Sequence, residues 1–266
     1  MTAAQVAELH REAVGQGSPV VLVHAGICDS RMWDPQWETF AQAHRVIRYD
    51  MRGFGRSPLS TRLYSPPADL IALLDELALG PATLVGASMG GGISLQVAVA
   101  RPDLVSALVL VGSGIRGHEW SDYVTGSWAE EEAAFERGDL DAAVEVNLRT
   151  WVDGPHRSPD QVDPEVRARV AEMQRRMFEL ALEVPDAQEE ALVLNIGDRL
   201  GEISVPTLVV VGEDDVEDVH IVAERLEREV GATRVTIGGA AHLPNLERPR
   251  EFDETVLGFL AEVEAA

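Results

Sequence analysis

The sequence predicts an α/β fold in which a mostly parallel, twisted sheet is flanked by helices on both faces. Short runs rich in β-branched residues alternate along the chain with amphipathic helical patterns. Several of the later runs, such as 107–111, are continuously apolar, as is typical of parallel strands that are buried on both faces. The 266 residues, of which 45% are hydrophobic, suffice for one large domain that carries an insertion.

Seven segments are predicted to be strands, because each is short, rich in β-branched or apolar residues and followed by a turn. In chain order they are 9–14, 20–24, 46–49, 82–85, 107–111, 207–211 and 234–237. Apolar residues at helical spacing predict the later helices of the core. One helical face contains Val219, Val222, Ala223, Leu226 and Val230, and another contains Phe252, Val256, Phe259, Leu260 and Val263.

The alternation stops between residues 116 and 200, where only helical patterns occur. We therefore expect a core domain formed by 1–115 and 201–266, with 116–200 as a helical lid over the carboxyl ends of the strands, where α/β sheets bind ligands. One lid helix is predicted to begin at Pro164, with Asp163 as its N-cap. Six large lid residues are expected to form a small core of their own, with one or two facing the pocket: Trp120, Trp128, Trp151, Met173, Met177 and Phe178.

Composition excludes several classes of function. The formal net charge is −23, which disfavours nucleic acid and anionic membranes as partners. All 22 basic residues are arginine, so Schiff-base, serine–lysine and P-loop chemistry lack their amine. The single cysteine, Cys28, cannot form an internal disulfide, and we see neither a signal peptide nor an apolar run long enough to span a membrane. We expect a cytoplasmic protein.

The segment "GASMG" fits the G-x-S-x-G pattern of a nucleophile elbow and places Ser88 between a strand and an apolar helix. A serine on such a tight turn has a strained backbone, and neighbouring backbone approaches so closely that only glycine fits at Gly86 and Gly90. A hydroxyl is a weak nucleophile and needs a base with an acid to orient it. Acids follow strand 207–211, and His242 follows strand 234–237, so all three groups are expected at one edge of the sheet.

Five segments together resemble the α/β-hydrolase-fold serine hydrolases of the small esterase, lactonase and cofactor-free perhydrolase group. They are "VVLVHAGICDSRMW", "YDMRGFGRS", "GASMGG", "VGEDD" and "AAHLPNLERP". The resemblance implies that Ser88 is the nucleophile, His242 the general base and Asp215 the acid, in preference to Asp214 and Asp218. It also implies an oxyanion hole formed by the backbone N–H groups of Met89 and Gly26. Because Ala25 stands where the family has glycine, Ile27 remains an alternative to Gly26.

Other motifs have structural interpretations. The glycines of "GSGIRG" (112–117) are not followed by the second strand of a dinucleotide site, so we expect no such cofactor. The acids of "EDDVEDVH" lack the spacing of a calcium loop, so we expect no metal. Asp50 and Arg52 are expected to brace a loop through hydrogen bonds and an ion pair, and Cys28 to be a packed thiol.

We therefore expect a hydrolase whose partners are water and a small, fairly apolar ester or lactone. An enol-lactonase is the nearest alternative, but its dianionic substrate would require an arginine, for which Arg149, Arg175 and Arg176 are candidates. A haloperoxidase or perhydrolase would use the same triad. A small-molecule receptor on this scaffold is the alternative outside the enzymes. Ser88 excludes a dehalogenase or epoxide hydrolase, because both need aspartate at the elbow.

Overall fold

A seven-stranded sheet forms the centre of the computed structural model, which describes residues 8–266. The strands are β1 (Arg11–Val14), β2 (Pro19–Val23), β3 (Arg45–Tyr49), β4 (Ala82–Ala87), β5 (Val105–Val111), β6 (Thr207–Gly212) and β7 (Thr233–Ile237). Their order across the sheet is β1-β3-β2-β4-β5-β6-β7. Only β1 runs antiparallel to its neighbour. The predicted fold class is confirmed, and the predicted strand ends differ from the observed ends by at most two residues.

Nine α-helices lie in the described residues 8–266. They are α1 (Asp34–Phe40), α2 (Pro66–Leu77), α3 (Met89–Ala100), α4 (Asp122–Glu136), α5 (Leu140–Asn147), α6 (Pro164–Glu183), α7 (Glu217–Val230), α8 (Pro244–Glu247) and α9 (Pro249–Ala265). The predicted faces of α7 and α9 are turned inward, since Val222, Leu226 and Phe252 are at most 1% exposed. No helix among these residues has the length and apolarity needed to cross a bilayer.

The topology brings five loops to one edge of the sheet. The strands β2, β4, β5, β6 and β7 are mutually parallel, so their carboxyl ends point the same way. The loops after them contain, in turn, Gly26, Ser88, Gly112, Asp215 and His242. Residues that are far apart in the chain are therefore neighbours at this edge, where open α/β sheets bind ligands.

The chain between β5 and β6 contains only helical elements apart from one isolated bridge, between Glu189 and Tyr64. We call residues 116–200 the cap. It contains α4, α5, a π-helical stretch (Leu148–Asp153) and α6, with Asp163 accepting a hydrogen bond from the Glu165 N–H at the start of α6. The division of the chain into a core domain and a lid remains a prediction. The helices α4, α5 and α6 lie within the residues that this prediction assigns to the lid.

Hydrogen bonds tie the cap to the core at its beginning, in its middle and near its end, where the Val193 N–H donates to Gln96. At its beginning, the Ser121 N–H and hydroxyl donate to Asp218 of α7, at 2.8 and 2.6 Å. After the π-helical stretch, the Arg157 guanidinium donates to the Val152 carbonyl at 2.7 Å and pairs with Glu247 of α8 at 2.8 Å. The cap is thus held to the core at several points along its length.

Candidate active site

Ser88 lies at the turn between β4 and α3 with φ 51° and ψ −113°. A non-glycine residue in this region is strained by about 1–3 kcal/mol, so the surrounding structure must impose the conformation. Hydrogen bonds on both sides do so: the Ser88 N–H donates to the Val111 carbonyl at 2.8 Å, and the Ser88 carbonyl accepts from the Gly92 N–H at 3.1 Å. The turn therefore fixes the position of the hydroxyl.

The glycines around Ser88 are required by close backbone approach. A Cβ on Gly86 would lie 2.5 Å from the Gly90 carbonyl oxygen and 2.7 Å from Ser94 Oγ. A Cβ on Gly90 would clash with the Val23 carbonyl of the neighbouring strand. Real Cβ atoms do not occur at such distances, so the sequence pattern around the elbow has a steric cause.

The His242 side chain is held by a carboxylate. Its Nδ1 lies 2.8 Å from Asp215 Oδ2 and 3.1 Å from Oδ1, and both side chains are buried. Asp215 Oδ1 also accepts from the Val216 N–H at 2.8 Å, which fixes the carboxylate plane. Because Asp215 is an acceptor, Nδ1 carries the hydrogen and Nε2 is left as the basic nitrogen.

One residue of the cap, Trp151, and one residue of the core, Gly112, position the His242 loop and ring. The His242 N–H donates to the Trp151 carbonyl at 3.2 Å, and the two rings lie 4.5 Å apart between centroids. Gly112 lies on another side of the ring, where an added Cβ would be 3.1 Å from Nδ1. The first glycine of "GSGIRG" therefore makes room for His242.

The other acids after β6 have different partners. The Asp214 carboxylate is 3.7 Å from Arg157 Nε. Asp218 accepts from Ser121 and lies 3.2 Å from His118 Nε2. Burial raises the pKa of Asp218, but these hydrogen bonds outweigh it and hold the pKa below its usual value. Among the three candidate acids, Asp215 is the one that the structure brings to His242.

Backbone N–H groups are available on two sides of Ser88. Met89 begins α3, and the first amides of a helix have no acceptor within it. Gly26 and Ile27 follow β2 and line the same cavity as Ser88. That loop is braced by His24, whose Nε2 accepts from the Met51 N–H at 3.0 Å, and burial lowers the His24 pKa. Gly26 and Ile27 both remain candidates beside Met89.

A cavity of about 310 Å³ lies between this edge of the sheet and the cap. Its floor comprises residues of the core, and its roof residues of the cap. The floor residues are Gly26, Ile27, Ser88, Met89, Gly114 and His242, and the roof residues are Trp120, Trp128, Glu131, Asn147, Trp151, Gln174 and Met177. The structure thus brings Ser88 and the Asp215-bound imidazole to one mostly apolar chamber.

The expectation that only one or two large cap residues face the pocket is wrong. Four of the six line the cavity: Trp120, Trp128, Trp151 and Met177. Met173 and Phe178 are buried, the latter against Phe135. The cavity lies directly beneath the cap helices, so their apolar faces turn toward it rather than toward a separate core.

The three candidate arginines lie outside this cavity. Each is paired with a carboxylate near the surface: Arg149 with Glu130, Arg175 with Asp141 and Arg176 with Glu179. Arg175 and Arg176 instead line a charged groove of about 470 Å³ that contains neither Ser88 nor His242. A neighbouring cavity of about 390 Å³ shares Ser88 and extends to Arg116 and Glu189.

Residues with predicted structural roles make the corresponding contacts. Asp50 accepts from the Ser30 and Arg56 N–H groups, each at 2.8 Å, and Arg52 pairs with Asp69 at 2.8 Å. Cys28 is buried, and burial raises the pKa of its thiol well above the usual value.

Sequence reasoning did not identify the polar roof residues Glu131, Asn147 and Gln174, nor the carbonyl of Trp151. A signal for the side chains exists: each lies one helical turn from an apolar residue that lines the same cavity, as Gln174 does from Met177. No sequence signal marks a backbone carbonyl.

Known proteins resemble this chain over nearly its whole length. The chain matches the alpha/beta hydrolase family over residues 20–255. It is 30% identical to the strigolactone esterase D14 of Arabidopsis thaliana, over 91% of this chain and 92% of that protein. It is 24% identical to 3-oxoadipate enol-lactonase 1 of Acinetobacter baylyi, over 89% of this chain and 86% of that protein.

Solved structures show the same fold. The structure of an N-acyl homoserine lactone degrading enzyme superposes on this protein with a TM-score of 0.75 at 30% sequence identity. The superposition covers 94% of this chain and 96% of that chain. The family match spans nearly all of the sheet and the whole cap. The chain therefore belongs to the alpha/beta hydrolase family.

Proposed function

We propose that this protein is a serine hydrolase that cleaves a carboxylic ester or lactone of a small, fairly apolar molecule. One observation carries the proposal: the imidazole held by Asp215 lines the same chamber as the strained Ser88. A nucleophile, a base and the group that orients the base are thereby assembled around a space in which a carbonyl can bind.

Each residue has a defined role in this proposal. Ser88 Oγ attacks the carbonyl carbon while His242 Nε2 takes the hydroxyl proton, and Asp215 stabilises the imidazolium that forms. The N–H groups of Met89 and of Gly26 or Ile27 stabilise the oxyanion. His242 then protonates the leaving alcohol, and a water molecule releases the acyl group from Ser88 by the same steps.

The relatives support this reaction class. They include an esterase, an enol-lactonase and an enzyme that degrades a lactone. In the first two names, esterase and enol-lactonase, the bond concerned joins an acyl carbon to oxygen. The proposed cleavage is of this bond, with the covering cap acting as the lid that keeps bulk water from the chamber.

The cavity favours a neutral substrate over a dianionic enol lactone. Among the described residues that line the 310 Å³ chamber, Glu131 is the one carboxylate and none is an arginine. Arg116 of the neighbouring cavity is accompanied by Glu189. With a net charge of −23, the protein has no evident compensation for a doubly negative ligand.

A panel of p-nitrophenyl esters of increasing acyl length, together with simple lactones, tests the proposal. We expect hydrolysis of at least one series, stoichiometric labelling of Ser88 by a fluorophosphonate probe, and loss of both in Ser88→Ala, with turnover reduced by about 10⁴-fold or more. An unlabelled Ser88 without hydrolysis would favour a receptor. Turnover in Ser88→Ala equal to wild type would refute the mechanism.

A further inference from the structure

Among the described residues, Glu131 is the one carboxylate that lines the Ser88 cavity, and no arginine lines it. Glu131 lies half-buried in α4. Burial and the neighbouring Glu132 raise its pKa, and what opposes them is a hydrogen bond with Asn147 rather than a cation. A carboxylate that has lost water without gaining a positive partner carries an electrostatic cost, which a bound cation would offset.

Three indole rings line the same cavity. The Trp120 ring lies between the other two, with its centroid 5.4 Å from that of Trp128 and 6.5 Å from that of Trp151. Its plane is inclined to theirs by 66° and 88°, so the rings form walls that face different directions. Glu131 follows Trp128 by three residues in α4, which places both side chains on one face of that helix. The carboxylate is therefore adjacent to the aromatic wall.

A compact organic cation is the ligand group that suits both features. The face of an indole ring attracts a positive charge, and tryptophan does so more strongly than the other aromatic residues. The carboxylate of Glu131 would pair with the same charge. A neutral apolar group would contact the rings but leave the carboxylate without a partner, and an anionic group would be repelled by it.

The charge of the surrounding protein acts in the same direction. The cap contains 20 acidic residues and nine arginines, and the whole chain has a net charge of −23. A surface of one sign raises the local concentration of ligands of the opposite sign. In the neighbouring cavity, Arg116 is accompanied by Glu189, so that cavity has no excess of positive charge among its described lining residues.

We infer that the enzyme selects esters or lactones that carry one compact organic cation, an ammonium or quaternary ammonium group, which binds against Glu131 and the indole rings of the cap. This inference rests on the proposed function, since it assumes that the carbonyl binds at Ser88. The positive group is separated from the carbonyl by a short apolar link that crosses the chamber from floor to roof. Glu131 determines this specificity and takes no part in bond cleavage.

A binding test on the wild-type protein compares choline with its neutral isostere, in which a carbon atom replaces the nitrogen. The two alcohols have the same shape and differ in charge. Binding is followed by tryptophan fluorescence at about pH 8, where carboxylates are ionised. We expect choline to bind about tenfold more tightly than the isostere. Choline that binds no better than the neutral alcohol would overturn the inference.

A kinetic test applies the same comparison to turnover. The substrates are the p-nitrophenyl ester of trimethylammonio-butanoic acid and that of the isosteric acid with a quaternary carbon in place of the nitrogen. We expect kcat/KM for the cationic ester to exceed that for the neutral ester by about tenfold. Equal values, or a preference for the neutral ester, would also overturn the inference.

Two variants of α4 locate the effect. Glu131→Gln removes the charge and keeps the size of the side chain, and we expect the cationic-to-neutral ratios of affinity and of kcat/KM to fall about threefold or more. Glu132→Gln removes the same charge at the next residue, which does not line the cavity, and should keep both ratios. Equal falls in the two variants, or unchanged ratios in a folded Glu131→Gln, would overturn the assignment to Glu131.

The outcomes separate the two proposals. If no ester is hydrolysed and Ser88 is not labelled by the fluorophosphonate probe, the proposed function fails, and with it the selection of a cationic substrate. If both esters are hydrolysed without preference for the cation, the proposed function stands and the selection by Glu131 fails. If Glu131→Gln does not fold, the comparison of choline and its isostere on the wild-type protein decides alone.

Discussion

The floor and the roof of the Ser88 cavity are built by different means. The floor depends on backbone: a strained serine, glycines that admit no Cβ, and loops at the ends of parallel strands. The roof consists of side chains on cap helices, such as Trp128 and Gln174. The floor can change little without losing its geometry, whereas the roof can change its lining while the helices remain. We infer that the floor of the cavity determines the type of reaction and that the roof determines which substrates bind.

The largest expected difference concerns two aspartates that lie three residues apart. Asp215→Asn should lower kcat by about 10⁴-fold, because an amide no longer holds His242 in the required tautomer or stabilises its charged form. Asp218→Asn should leave kcat within a few-fold and lower the melting temperature, because Asp218 binds Ser121 and His118 at the beginning of the cap. Steady-state kinetics and thermal unfolding of both variants check this. Equal losses of kcat would contradict the assignment of Asp215.

Substitutions at two glycines compare how well the floor of the cavity and the cap tolerate an added methyl group. Gly86→Ala should destabilise the protein by about 3 kcal/mol or more, because its methyl group would meet the Gly90 carbonyl. Gly126→Ala, in the interior of α4 with nothing within 4 Å of the new Cβ, should stabilise it by about 0.5–1 kcal/mol through helix propensity. Urea unfolding of the two variants gives both values. A loss of stability in Gly126→Ala as large as that in Gly86→Ala would show that the cap is as tightly constrained as the floor.

The smallest expected effect is a pH dependence of the protein's stability that arises from Glu131 in the roof of the cavity. Burial raises the pKa of Glu131 above 4.5 despite the hydrogen bond from Asn147, and Glu132 adds to the rise. The folded protein therefore retains a proton that the unfolded chain has lost, so Glu131 reduces stability as the pH rises from 4.5 through its folded pKa.

Glu131→Gln removes this pH-dependent contribution to the free energy of unfolding. Relative to wild type, its free energy of unfolding should increase with pH across that interval and be flat on either side. Urea unfolding at a series of pH values measures the difference. A difference that is independent of pH would mean that Glu131 is not perturbed in the folded state.

The sequence predicts the floor far better than the roof. Strands and their loops follow from apolar runs and turns, and Ser88, Asp215 and His242 lie at one edge of the sheet because the strands before them are parallel. Helical periodicity, in contrast, defines the apolar face of α4 or α6, but it does not show whether that face covers a cavity or another helix. The pattern therefore predicts too few large residues facing the cavity. The hydrogen-bond partners of the polar roof side chains depend on how the cap helices pack against one another, which no sequence pattern specifies.

The hydrogen bond from His242 to the Trp151 carbonyl has a consequence for how this enzyme can be altered. A cap transplanted from a relative in one piece would have to place a backbone carbonyl within reach of the His242 N–H and to replace the Arg157 contacts beside it. A chimera should retain residues 148–157 together with the core and exchange only the helices on either side. In this chain, a portion of the cap forms part of the candidate active site.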